Sequence, residues 1–583
     1  MSVSTKAGGE ASSAVEQEAT AGGSSRMAVG LAAALGFVLG LLALGPGLAP
    51  GFLLSYDMVF VPDPPFSAAL LGASGGPARA VPSDAVITVA ARLMPADMLQ
   101  KLILLAIFTA ACSGAAALLA AGWQAASRQG AIRRPAPVAA CLVTGCFYVW
   151  NPFVAERLLI GQWALLLGYA GLPWVLREVC AGPVRIRPGR LLLVMLPAAV
   201  GGFAAMAVTG LAAVPTALAR KTGQPWRSGT GRRLATVLAA LALLSLPWLI
   251  PSVFAGVHTD PQGVDVFAAR PDTPFGRLGS LTLLSGIWND QTVPRGYGGA
   301  GSYFWLLVVV CALLCYLLVA RPRRMWPGLG AAGLIGLAIA AIGITSPTRA
   351  LLRDLVAAWP GFAILRDGQQ FVAALALTEA IGFGAGVAWL ISRTAAARAG
   401  ETGRLARPSP QPAATAIAVL AILAPLVLLP GMAWGLAGRI RPAQYPADWI
   451  QARRIIDGNP QRGSVLVLPW AAYRRYPWNG GEAVYDPWNK LLSREVISND
   501  GLQVGRLTLA QESPASIRLN QIVTARGPLT SALRAAGVRY VVVDAGPILT
   551  ANPSAAASDA RLPGALTVLA SHDLVVFELP RKT

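Results

Sequence analysis

Eleven apolar runs, separated by short arginine-rich stretches, dominate this chain. They lie at 27–53, 102–122, 137–151, 163–176, 191–204, 205–219, 234–255, 303–320, 326–345, 371–392 and 412–438. About 20 apolar residues in a row suffice to cross a bilayer as a helix. In lipid every backbone group must be bonded within its own element, so a chain of such runs has little choice but a helical bundle. Composition agrees, with 55% of the 583 residues apolar and only 13% charged. Soluble domains carry about 25% charge, so an ordinary cytosolic enzyme, a secreted soluble domain and a disordered chain are all excluded. The formal net charge of +20 does not point to nucleic acid. The basic residues sit between apolar segments, as they do at the cytoplasmic face of a membrane protein.

Residues 1–26 are rich in Ser, Gly, Ala and Glu, lack apolar periodicity, and are expected to form a disordered cytoplasmic tail. The run at 27–53 is too long for a signal-peptide core and reads as a retained first span. The pair 191–219 is broken by Gly201-Gly202 and Gly210 and reads as two short helices. On that scheme 21 Lys and Arg fall inside, among them Arg128, Arg133, Arg134, Arg185, Arg220, Lys221, Arg227, Arg324, Arg404 and Arg407. Ten fall in the longer outer loops. The bias places the N-terminus in the cytoplasm and, after about eleven spans, the C-terminus outside. The outer loops carry eleven acidic residues against Glu178 and Glu401 on the inner side. Long loops of mixed charge on a rigid scaffold are where a site is expected.

The transmembrane part is expected to end near 438. Over 439–583 charge rises and the apolar runs shorten. "SVLVLPW" (464–470), "RYVVVDAG" (539–546) and "LTVLASHDLVVFEL" (566–579) read as strands, the last a hairpin turning at Ser571-His572-Asp573. Residues 446–457 and 528–536 read as helices. The expected architecture is a polytopic α-helical membrane protein with a small extracytoplasmic α/β domain. The six cysteines (Cys112, Cys141, Cys146, Cys180, Cys311, Cys315) sit in or beside apolar runs and make no CxxC pattern, and His258 and His572 are too few for a histidine zinc site.

Four outer segments could carry chemistry. In "GFLLSYDMVFVPDPPF", Asp57 stands just beyond the first span. A carboxylate near the bilayer boundary is costly without a task or partner. It reads as a general base or orienting group, or more plainly as a solvated interfacial acid. Asp63 and Asp84 follow, each near a proline. In "NPFVAERLLIGQWALLLGYAGLPW", the pair Glu156-Arg157 lies in an apolar linker. Its guanidinium suits a lipid-borne phosphate, or equally an interfacial salt bridge within an aromatic belt. "PGFAILRDGQQF" places Arg366-Asp367 at the mouth of a span, and the plainer reading there is an ion pair. The long loop 256–302 reads as a flexible cover. In the outer domain Trp470, Tyr473 and Trp478 belong to an aromatic set suited to stacking on sugars, although core packing is the commoner use.

These features together resemble the GT-C superfamily of membrane glycosyltransferases: a first span, a long first outer loop with an aspartate just after it, and a small outer C-terminal domain. "NPFVAERLLIGQWALLLGYAGLPW" is similar to segments of actinobacterial arabinofuranosyltransferase-like proteins, and "PGFAILRDGQQF" to the YfhO-like group. The resemblance covers about 27–380 and implies transfer of a sugar from a polyprenyl-phosphate donor to a cell-envelope glycan or lipid acceptor at the outer face of the cell membrane. It implies Asp57, with Asp63, as catalytic carboxylates, Arg157 and Arg366 on the donor phosphate, and Glu156, Asp367 and Asp84 in support. Trp470, Tyr473 and Trp478 would meet the acceptor. A divalent cation is left open, since the paired acidic motif of the family is replaced here by Asp57 and Asp63 with Pro62 between. The alternative is a non-catalytic translocator or glycan-binding scaffold. Glu379, in "ALTEAIGFGAG", is the main charge inside a span.

Overall fold

A computed structural model describes residues 4–73, 80–128, 136–181, 186–219, 229–255, 259–323, 326–402, 412–544 and 561–580. Each of the eleven apolar runs contains helix, the run 27–53 ending in a short strand. The first helix, Ser4–Leu44, is helical from its fourth residue, where a disordered tail is expected from composition. The Ala and Glu of that stretch are good helix formers and extend the first span backwards. Among the described residues, seven helices are long and apolar enough to cross a membrane, or up to nine if each of two bent pairs is one span. The expected eleven therefore shrinks. Pro188–Val200 has 13 residues, about 20 Å at 1.5 Å per residue, short of a hydrocarbon core of about 30 Å. Trp163–Cys180 carries Tyr169, Pro173 and the pair Arg177-Glu178, which lower its hydropathy. The break between Pro188–Val200 and Gly202–Ala219 falls at the expected glycines. Of the inner basic residues, Arg133, Arg134, Arg185, Arg220, Lys221, Arg227, Arg324, Arg404 and Arg407 lie outside the described residues, as does His258.

Burial separates core from rim. The apolar windows of Ala96–Arg128, Val138–Leu159 and Gly368–Thr394 are 72%, 83% and 94% buried, against 11% for Thr230–Phe254. Small residues make the close packing possible. A Cβ on Gly114 or Gly122 would fall 2.6 or 2.5 Å from the indole nitrogens of Trp174 and Trp326. Those indoles donate to the carbonyls of Ala110 (3.0 Å) and Leu118 (2.9 Å).

The part beyond the apolar helices begins with two short strands that tie the first loop to the segment after the last apolar helix. β1 (Phe52–Leu53) pairs antiparallel with β2 (Pro442–Ala443). Beyond them lie β3 (Ser464–Leu468), β4 (Tyr473–Arg475), β5 (Ala483–Tyr485), β6 (Val496–Ile497), β7 (Leu502–Val504), β8 (Leu507–Leu509), β9 (Val538–Asp544), β10 (Leu566–Ala570) and β11 (Leu574–Glu578). The main sheet runs β10-β11-β9-β3-β6, parallel at β9-β3-β6 and antiparallel elsewhere. The buried runs of β3 and β9 are the continuous apolar pattern such parallel strands require. Helices Ala447–Gly458 and Thr530–Ala535 stand where helices are expected. The domain rests on the first loop, where Tyr445 donates to the Phe60 carbonyl (2.9 Å) and Arg453 to that of Pro62 (2.8 Å).

The loop expected to be a flexible cover is instead packed structure. Leu281, Leu283, Leu284 and Ile287 are fully buried, because three short helical turns, Gly263–Val266, Gly276–Thr282 and Asp290–Thr292, fold its apolar residues inward.

Candidate active site

Asp57 sits in the loop after the first apolar helix, and the chain around it is held by hydrogen bonds on both sides. Gln100 bonds the Leu53 N–H and carbonyl (2.9 and 2.7 Å). Tyr56 adds a strand-like contact to β5, its N–H donating to Ala483 (2.6 Å) and its carbonyl accepting from Tyr485 (2.8 Å). The Asp57 N–H then donates to the Ile160 carbonyl (3.1 Å). This approach needs a glycine beside it. Gly161 has φ +81°, and a Cβ there would stand 2.2 Å from both the Met58 nitrogen and the Ser55 oxygen. The Asp57 side chain is left exposed, and the Tyr473 hydroxyl donates to its Oδ1 at 2.6 Å.

Tyr473 reaches Asp57 because of strand alternation. Tyr473 and Arg475 share one face of β4, while Arg474 between them points into the domain, where it meets Asp486 (3.3 Å) and Asp544 (3.8 Å). Burial pushes Asp544 up to about 7. Arg475 donates to the Gln291 side-chain oxygen (2.7 Å), which also accepts from the Tyr56 hydroxyl (2.6 Å).

Below this surface lies a buried charged network. Glu156 and Arg157 are both fully buried on helix Pro152–Leu159. Arg157 binds Asp367 through two nitrogens (2.9 and 3.3 Å), bonds Gln162 and Gln369, and lies over the Phe153 ring at 5.6 Å. Glu156 accepts from Gln369 (3.2 Å) through one oxygen, and its other oxygen has no partner among the described residues. Asp272, which lies within electrostatic reach of Glu156, is pushed up to about 6 by burial, against the pull of the Gly286 N–H at 2.8 Å.

The remaining expected residues stand apart from Asp57. Asp63 is exposed and offers its backbone carbonyl to Arg453 (2.7 Å). Asp84 pairs with Lys490 (2.8 Å). Arg366 pairs with Glu512 (2.8 Å) and covers the Phe267 ring at 5.2 Å. Trp470 donates to Asn520 (3.1 Å). Trp478 stacks on Tyr476 with centroids 4.9 Å apart, next to the buried stack of Trp449 on Trp488 at 4.2 Å. Of the three aromatic residues expected at the acceptor, Tyr473 is the one that touches Asp57. Tyr56, Gln291, Arg439 and Arg475 were not singled out from the sequence. The signal available was Asn479-Gly480-Gly481, a hairpin turn that brings β4 and β5 together. Among the described residues no group of three or more His, Cys, Asp or Glu is arranged to hold a metal ion, so no step is assigned to one.

No protein-family model matches the chain, and no curated protein does. Among solved structures it resembles arabinofuranosyltransferase AftD from Mycobacteria with a TM-score of 0.56 and 17% identity, over 96% of this chain and 40% of that one. A mutant form of the same enzyme gives 0.55 at 17% identity, over 96% and 42%. The fold is therefore like that of the AftD chain over the part it matches. The likeness read from the first loop and the outer domain is thus a likeness of architecture. This chain spans about 40% of the length of the AftD chain it matches.

Proposed function

We propose that this protein transfers a sugar from a polyprenyl-phosphate donor to a cell-envelope glycan or lipid acceptor, at the outer face of the membrane. The observation that carries this reading is the placement of Asp57: an exposed carboxylate at the edge of the bundle, fixed by the Ile160 carbonyl behind it and the Tyr473 hydroxyl on Oδ1. A base must be rigidly placed within hydrogen-bond reach of the proton it takes. The Asp57 carboxylate, oriented by Tyr473, takes the proton of an acceptor hydroxyl as that hydroxyl's oxygen attacks the anomeric carbon. The bond from that carbon to the phosphate oxygen breaks, and the polyprenyl phosphate leaves with the electron pair. The anomeric configuration inverts and no covalent enzyme intermediate forms. Glu156, Arg157 and Asp367 support the floor beneath the loop through Gln162 and Gln369.

The test is turnover by the full chain in nanodiscs, given a panel of radiolabelled polyprenyl-phosphate sugars and a cell-wall glycan acceptor. Labelled product from at least one donor is the expected result. Glycan binding without turnover from any donor would favour the scaffold or translocator reading instead.

A further inference from the structure

Three arginines from three distant segments gather around Gln291 near Tyr56, the chain neighbour of Asp57. Arg475 bonds the Gln291 side chain (2.7 Å) and the Gly481 carbonyl (2.9 Å). Arg439 bonds the Gln291 and Val293 carbonyls. Arg295 bonds the Ala437 carbonyl (3.2 Å), and both Arg295 and Arg475 lie within electrostatic reach of Arg439. Among the described residues none of the three forms an ion pair within 4.0 Å, and Glu482 is the carboxylate that acts on Arg439 from farther off. Arg439 and Arg475 are half-buried. Like charges drawn together and partly out of water are costly unless an anion shares the site. Guanidinium groups suit phosphate, which they bind through two parallel bonds.

A groove of about 710 Å³ adjoins the cluster, lined by Pro46, Ala49, Trp434, Ala437, Gly438 and Arg441. It lies between the C-terminal ends of the first and last apolar helices. Its wall is a left-handed turn, with φ of 58°, 69°, 50°, 56° and 77° at Trp434, Gly435, Leu436, Ala437 and Gly438. Residues with a Cβ rarely hold that conformation, and such strain concentrates at ligand sites. Here the turn presents the Ala437 carbonyl to Arg295 and leaves Trp434 64% exposed, the placement of an interfacial tryptophan facing lipid.

We propose that Arg295, Arg439 and Arg475 form the subsite for a lipid-borne phosphate whose hydrocarbon chain leaves along the Trp434 groove. The assignment rests on the transfer reading above and locates its leaving group. The subsite is tied to the Asp57 loop through Tyr56, whose hydroxyl shares the Gln291 oxygen with Arg475. It also replaces Arg157 and Arg366 in that role, since Asp367 and Glu512 already engage them.

The experiment is direct binding by the full chain in detergent, counted by native mass spectrometry, with polyprenyl phosphate, phosphatidylglycerol and inorganic phosphate as probes. Polyprenyl phosphate is expected to bind, with affinity reduced roughly tenfold or more in Arg439→Gln and Arg475→Gln and less in Arg439→Lys, which keeps the charge. Arg295→Gln, on an exposed side chain, serves as a second variant should Arg439→Gln fail to fold, and it too is expected to weaken binding. Undiminished binding in the glutamine variants overturns the subsite. Inorganic phosphate displacing the lipid at equal concentration overturns the lipid source, and preference for phosphatidylglycerol overturns the link to the donor. Because the readout is binding, a chain that holds lipid phosphate through these arginines yet transfers no sugar keeps the subsite and sinks the transfer reading.

Discussion

At the scale of single residues, the site depends on a few close approaches. Gly161 is the tightest. A methyl group there meets the backbone of Met58 and Ser55 at 2.2 Å, at a φ that L-residues avoid. Gly161→Ala is expected to displace the Asp57 loop and to lower both transfer and the melting temperature; unchanged values of both would show that the loop is placed by other contacts. Arg157 is fully buried beside Glu156 and Asp367. Removing one partner of a buried charge pair costs about 3–5 kcal/mol, so Arg157→Ala is expected to fall at the upper end of single-substitution losses, read as the drop in thermal unfolding midpoint. The position of Asp57 in the loop just after the first span is legible in the sequence. Its bond to Tyr473 is not, because the two are 416 residues apart in sequence and nothing local records which loop meets which strand.

At the scale of elements, among the described residues, long apolar runs located the membrane helices, and short ones the buried strands β3 and β9, while β-branched residues on either side of the Ser571-His572-Asp573 turn located β10 and β11. The β4–β5 hairpin escaped, since its residues, such as Arg474 and Tyr485, are polar or aromatic and its turn was the sole cue. The loop 256–302, expected as a flexible cover, differs for the opposite reason: its glycine-rich composition hides Leu281, Leu283, Leu284 and Ile287, which are fully buried. Asp272 in that segment has a folded value of about 6 against 3.8 unperturbed, because burial disfavours its charge. The folded state therefore binds this proton more tightly than the unfolded one. The stability it contributes is fully present below the unfolded value and is lost as pH rises through about 6. Asp272→Asn cannot titrate, so the gap in melting temperature between wild type and this variant is expected to move in favour of the variant from pH 4 to pH 7. A gap that is constant across that range would contradict the assignment.

At the scale of the whole molecule, the C-terminal domain packs against the loop that carries Asp57. It supplies Tyr473 and Arg475 to a loop that belongs to the membrane part, and it is tied there through β1–β2 and the Tyr56–β5 contact. Composition alone separated the two parts, but it could not show that one completes the other. The most direct test of transfer centred on Asp57 is a side-by-side measurement in nanodiscs of wild type and Asp57→Asn, with the donor that gives the best turnover. Loss of a general base costs roughly 10²–10⁴ in rate, so transfer by Asp57→Asn is expected to fall by at least about a hundredfold while lipid-phosphate binding persists. Full transfer by Asp57→Asn would contradict the assignment and move the base elsewhere on the outer face.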